Sequence, residues 1–117
     1  MSIETASPEE LVVRMYEGAI RQARTAREAH LAGKIAERGK ALSRALAIVG
    51  ELRGALDLER GGEIARNLRG LYGFVWDRLL EANLSGRVEA VDEAVDVLER
   101  LLGAWQEIAS RPKAATG

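Results

Sequence analysis

"GLYGFVWDRLLEANLSG", residues 70–86, decides the fold. The chain has five aromatic residues, and Tyr72, Phe74 and Trp76 stand here at alternate positions. Alternation would put all three rings on one face of a strand, whereas a helix turns Phe74 away from the other two. The neighbouring residues choose between these. Ile64, Leu68, Leu71, Val75, Leu79 and Ala82 step by threes and fours, the period of an amphipathic helix. A period of two would bury Gly70, Arg78 and Leu80 along with the rings. The spacing therefore predicts a helix over about 62–84.

Outward from this segment the chain is punctuated in the same way. "ASPEEL" supplies Ser7 as N-cap, Pro8 at the first helical position and Glu10 three residues after the cap. Val12, Met15, Ala19, Ala23 and Ala26 then mark one face of a helix over about 8–32, with Gly33 as its stop. Leu42, Ala45, Leu46, Val49, Leu52 and Leu56 give a second helix over about 34–56, and Gly61-Gly62 is the strongest turn signal in the chain. Ser85 is placed to cap a last helix over about 87–110, followed by a loose tail, 111–117. Four helices joined by short loops predict an all-α fold, an antiparallel up-down four-helix bundle in a single domain, 1–117. Seven glycines fall inside these helices, either where another backbone comes close or simply tolerated by packing.

Composition agrees and removes whole classes of function. Hydrophobic residues make up 47% of the 117 and charged residues 30%, a globular balance with enough chain for one core. The net charge of −1 gives no bulk pull on nucleic acid or an anionic membrane. Cysteine is absent, so there are no disulfides or thiolate metal sites. No apolar run reaches the ~20 residues of a membrane span, and "MSIETASPEE" has no signal-like region, so a cytoplasmic location is expected. The lone histidine, His30, has no Glu-x-x-His partner and reads as a surface or capping residue. Arg14, Arg21, Arg24 and Arg27 recur among glutamates on a solvated face rather than converging on an anionic substrate. No phosphate loop or nucleophile–base set is present. Catalysis is not expected.

The last helix carries more apolar surface than a core stripe needs. Val88, Val91, Val95, Leu98, Leu102, Trp105 and Ala109 form one heptad seam, and Ala94, Val97, Leu101, Ala104 and Ile108 a second, about 100° round. Together they cover about half the circumference, where a core stripe takes ~100° or somewhat more. Ile48 and Ala41 widen the seam of the second helix. Phe74 lies about 110° from the core stripe of the third, with Trp76 about 90° to the other side. Two neighbouring helices can consume such an arc internally. Alternatively the excess lines a groove for another apolar helix, or pairs with a second copy in a structural homodimer.

Four stretches, in order, resemble the flagellin export chaperones, the FliS family. "IETASPEEL", Ile3–Leu11, is similar to that family's entry into helix one, and "MYEGAI", Met15–Ile20, to its L-Y-x-G position. "IVGELRGALD", Ile48–Asp57, resembles the end of its helix two, and "LRGLYGFVWDRLLEANL", Leu68–Leu84, its third helix. Trp105 stands where its last helix carries tryptophan. The resemblance covers about residues 3–110. It implies a cytoplasmic bundle that binds the disordered C-terminal segment of flagellin, prevents early polymerisation and presents it to the flagellar export gate. It implies neither catalysis nor a cofactor, and leaves room for a flagellar regulatory protein as a further partner. The family usually carries an extended, tyrosine-containing segment before helix one, whereas six residues without tyrosine precede Ser7 here; either the chain is trimmed or this member lacks that cover, and the resemblance does not carry self-capping over. Joined to the surplus arc, the resemblance makes Ile3, Ile48, Leu52, Phe74, Val97, Leu101, Ala104 and Ile108 the candidate partner-binding residues. Tyr16, Tyr72, Trp76 and Trp105 read as core or bundle-edge packing.

Overall fold

A computed structural model of the chain describes residues 6–111, so Ile3 and residues 112–117 lie outside the described part. The described residues form four helices and no strand: α1 Pro8–Leu31, α2 Ile35–Gly54, α3 Leu58–Ser85 and α4 Val88–Ser110. The Ser7 hydroxyl accepts from the Glu10 amide at 3.1 Å, with Pro8 opening α1 as the sequence predicts. The end of α1 is closed by Gly33 at φ 73°, where the Gly33 amide donates to the His30 carbonyl and the Lys34 amide to the Ala29 carbonyl. These crossed bonds satisfy carbonyls that the helix end leaves without partners.

Two boundaries differ from the sequence reading. The turn between α2 and α3 lies at Ala55–Asp57, ahead of Gly61-Gly62, because Asp57 is a strong cap. One of its carboxylate oxygens accepts from the amides of both Glu59 and Arg60, at 3.1 and 3.0 Å. The helix therefore starts at Leu58, and Gly62, at φ 53° and ψ −128°, survives as a kink. Ser85 likewise does not cap α4. Its hydroxyl donates back to the Glu81 carbonyl at 2.8 Å and so belongs to the end of α3. The N-cap of α4 is Arg87, whose side chain makes no capping bond.

Packing runs in a ring: α1 lies against α2 and α4, and α3 against α2 and α4. Cross-helix pairs fix the directions. Arg24 meets Glu99 and Arg27 meets Asp92 at 2.8 Å, so α1 and α4 run opposite ways. Gly18 faces Ile48 while His30 meets Arg38; Gly39 faces Asn83 while Gly50 faces Trp76. Arg78 reaches Glu93 across α3 and α4. Each adjacent pair is antiparallel, which is the expected up-down four-helix bundle.

The interior is smooth. Of the twenty buried hydrophobic residues ten are alanine, among larger side chains such as Leu42, Val49, Val75, Leu79 and Leu98. Alanine keeps the helices close and costs little rotamer entropy, but it interdigitates little. Two phenols interrupt this apolar interior. Tyr16 of α1 and Tyr72 of α3 are fully buried, and their hydroxyls bond to one another at 2.5 Å. Close backbone approach does not explain the helical glycines: Gly18 and Gly50 accommodate the Ile48 and Trp76 side chains, and Gly54, Gly70, Gly73 and Gly103 face open space.

Candidate functional site

The second seam of α4 faces α3. The ion pairs to Arg24 and Arg27 put Glu99 and Asp92 on the α1 side of α4, while Glu93 faces Arg78 of α3. At 100° per residue, Val97, Leu101, Ala104 and Ile108 fall on the Glu93 side. The Arg78–Glu93 pair also shows the register of the antiparallel helices. It places Phe74 level with Val97, Leu71 with Leu101, and Ile64 with Ile108. Phe74 is 41% exposed and Ile108 44%, while Ala104 is exposed and Val97 and Leu101 are half-buried against the core. These five predicted residues come together as an apolar strip along the outer α3–α4 seam.

The other described candidates do not join it. Leu52 is 4% exposed and belongs to the core, so it offers no partner surface. It steps by threes and fours with Leu42, Ala45 and Val49, which already marks it as core. Ile48 is half-buried and lies on the α1–α2 side against Gly18, away from the strip. Tyr16 and Tyr72 are core, and Trp76 and Trp105 pack half-buried at its edge.

Two strip residues escape the sequence reading. Ile64 and Leu71, assigned there to the core, are 72% and 37% exposed. The buried residues of α3 are Ala65, Tyr72, Val75, Leu79 and Ala82. Moving the seam from 64 and 71 to 65 and 72 turns Ile64 and Leu71 outward beside Phe74. The even alternation of 65, 68, 72, 75, 79 and 82 by threes and fours was the available signal.

A second surface was missed altogether. On the α2–α3 seam, half-buried Leu46 and Trp76 join exposed Leu80, and α2 presents Gly39, Ser43, Ala47 and Gly50 on that side. Its signals were Trp76, far off the core stripe, and Gly39 and Gly50 at helical spacing.

Two open concavities lie elsewhere, along the α1–α4 seam. Glu17, Arg21, Arg24, Glu28 and Glu99 line one of them, and exposed ion pairs already span this surface. It is too charged for an apolar helix. Among the described residues no three His, Asp or Glu side chains gather as a metal site, and no helix is long and apolar enough to cross a membrane.

Electrostatics around the strip are fixed by one arginine. Arg78 forms an ion pair with Glu81 at 2.7 Å, reaches Glu93 at 3.8 Å, and holds its guanidinium 5.8 Å from the centre of the Phe74 ring. Deeper in the bundle, burial pushes both Tyr16 and Tyr72 phenols above their ordinary range. For Tyr16 the bond to Tyr72 adds to the rise, and the nearby Trp105 indole opposes it slightly.

The α3–α4 strip is thus a partly exposed apolar surface bordered by Arg78, Glu81 and Glu93. In comparison with known families, residues 1–112 match the family described as flagellar protein FliS. The chain belongs to the FliS family. It is 37% identical over 115 residues to the flagellar secretion chaperone FliS of Salmonella typhimurium, covering 97% of this chain and 84% of that one. It is 37% identical over 106 residues to the flagellar secretion chaperone FliSB of Pseudomonas aeruginosa, with 91% and 84% covered. A more distant relative, the flagellar secretion chaperone FliS of Bacillus subtilis, shares 26% over 106 residues, with 91% and 78% covered. FliS is a family of chaperones, not of enzymes.

Proposed function

We propose that this FliS-family chain is a cytoplasmic export chaperone. It binds the disordered C-terminal segment of flagellin, keeps it from polymerising early, and delivers it to the flagellar export gate. The observation that carries the reading is the α3–α4 strip, where Phe74, Ile64, Leu71 and Ile108 stay exposed although apolar neighbours surround them.

Magnitudes set the extent of the client. From Val97 to Ile108 the strip is ~17 Å long, and at one helix width it offers ~170 Å². A stable interface uses ~800 Å² per partner, and ordering a disordered client costs ~2–5 kcal/mol before any net affinity. At ~25 cal/mol per Å², the strip and the surface laid on it contribute at most ~8 kcal/mol gross, against association costs of ~4–15 kcal/mol. The strip alone is too small. A bound segment must continue over further apolar ground, and the α2–α3 face with Leu46, Trp76 and Leu80 offers it.

Calorimetric titration with a flagellin C-terminal peptide tests the proposal. One peptide binds per chain, and Ile108→Asp, at an exposed position in the last turns of α4, removes binding while melting stays cooperative. Leu101→Asp is the poorer probe, since Leu101 is half-buried. A tight dimer on a sizing column, indifferent to peptide, would instead assign the strip to self-pairing.

A further inference from the structure

The buried interior specifies the relative height of its helices weakly, because half of its hydrophobic residues are alanine. Small, alike side chains present a nearly flat surface, so sliding one helix along another loses few interdigitations. Directional bonds are what such a core lacks, and the Tyr16 and Tyr72 hydroxyls supply one. Both side chains are fully buried, and no charged or other polar side chain is buried among the described residues. The pair spans the diagonal of the bundle, joining α1 to α3, while the packed faces are those of neighbouring helices. Its ring centroids lie 6.2 Å apart with planes inclined at 49°, so the rings do not stack and the hydroxyls make the contact. A slide of one residue, ~1.5 Å, breaks the hydroxyl bond and strands both groups in apolar surroundings.

Tyr72 lies in the same turn of α3 as Leu71 and Phe74. What fixes its height against α1 fixes theirs, and the Arg24–Glu99 and Arg27–Asp92 pairs tie α1 in turn to α4, which carries Val97 and Leu101. We infer that the Tyr16–Tyr72 hydroxyl pair is a register lock, which positions Leu71 and Phe74 on the α3–α4 strip for an incoming client. The lock is a property of the free chain; its consequence for the client rests on the function proposed above. Tyr16 and Tyr72 are thus positioning residues, which touch no client themselves.

Three variants, Tyr16→Phe, Tyr72→Phe and Tyr16→Phe/Tyr72→Phe, test this by thermal melting, amide exchange and peptide titration. Each single change breaks the hydroxyl pair and lowers the melting temperature, most in Tyr16→Phe, where Tyr72 is left without its partner, whereas the double change removes both hydroxyls and restores it to near the native value. A role in packing alone would end there. The lock predicts that in the restored double variant exchange over Leu68–Val75 stays about tenfold faster than native, while Leu42–Val49 of α2 is unchanged. It also predicts that the double variant binds a flagellin C-terminal peptide several-fold more weakly. Native exchange in the double variant overturns the lock, and faster exchange with native peptide affinity overturns its link to the strip. If the native chain binds no peptide, the chaperone reading falls and the exchange comparison still decides the lock. Should the double variant not melt cooperatively, the pair serves the packing of the fold as a whole and the lock is overturned.

Discussion

The guanidinium of Arg78 lies 5.8 Å from the centre of the Phe74 ring, held between Glu81 and Glu93. One side of the ring is thus occupied from within the chain, leaving the rest of the exposed surface for a partner. Such an aromatic, rigid and bordered by a paired arginine, is the type of residue that can anchor helix-in-groove contacts. Phe74→Ala therefore weakens the flagellin peptide about tenfold or more, equivalent to ~1.4 kcal/mol. Because the ring is 41% exposed, stability falls by only about 1–2 kcal/mol, well short of a core phenylalanine deletion. Titration calorimetry and a melting curve on the same variant separate the two effects. Native affinity would remove Phe74 from the site.

How far the strip could be read from sequence follows from one ambiguity in α3. The series 64, 68, 71, 75, 79, 82 and the series 65, 68, 72, 75, 79, 82 both step by threes and fours. They differ by a small rotation that exchanges Ile64 and Leu71 for Ala65 and Tyr72. Hydrophobicity favours the first, and the structure takes the second, because Tyr72 finds a hydroxyl partner in Tyr16 that no local pattern reveals. The second seam of α4 was readable because its whole circumference is segregated. Which neighbour that seam faces was not, since the order of helices in the ring is a tertiary fact. Ile48 shows the same limit: its off-seam angle was correct, yet it points toward α1. Ser7 and Pro8 were readable as a helix start because a cap is a local interaction, and Asp57 lost to Gly61-Gly62 only because two glycines are the louder signal.

Arg38 ties one end of the bundle together. Its guanidinium bonds His30 Nδ1 at 2.8 Å and donates to the Asn83 carbonyl at 3.3 Å, linking α2 to the last turns of α1 and α3. The carbonyl is among those a helix end leaves without an internal partner, so a cation there also suits the helix dipole. Arg38→Met keeps much of the stem and removes the fork. It lowers stability by about 1–3 kcal/mol, the range for losing charge-assisted bonds that are partly buried. Denaturant unfolding checks this. Arg44→Met, on exposed α2 surface, serves as the control and stays within about 0.5 kcal/mol of native.

Glycine replacements separate by backbone angle and space. Gly54 and Gly103 are helical, and a Cβ on either meets nothing within 4 Å. Alanine there raises stability by up to ~1 kcal/mol, by reducing the freedom of the unfolded chain. Gly62 is the opposite case. At φ 53° and ψ −128° it occupies backbone space essentially closed to alanine, and a Cβ on its neighbour Gly61 would stand 2.6 Å from that of Ala65. Gly62→Ala therefore costs about 1 kcal/mol or more, or forces the kink to straighten. Melting temperatures of Gly103→Ala and Gly62→Ala move in opposite directions; movement the same way would contradict the angles assigned here.

The buried phenols give the protein an alkaline signature that can be followed without a ligand. Tyr16 and Tyr72 are the chain's two tyrosines, so tyrosinate absorbance reports this pair alone. Burial is the main cause that lifts both above the ordinary phenol value of about 10, with the bond between them raising Tyr16 further. Below that value the phenols are protonated in both folded and unfolded states, and they impose no pH dependence. Above it the unfolded chain releases protons that the folded one keeps, so stability falls as pH rises. The slope approaches ~2.7 kcal/mol per pH unit when both phenols ionise only on unfolding. Tyrosinate absorbance should thus stay flat past pH ~10 and then rise together with the loss of helical circular dichroism. Tyr16→Phe/Tyr72→Phe removes this component, leaving a shallower alkaline decline. Two phenols that titrate near 10 in the still-folded protein would mean that they are open to water and the hydroxyl pair is not buried.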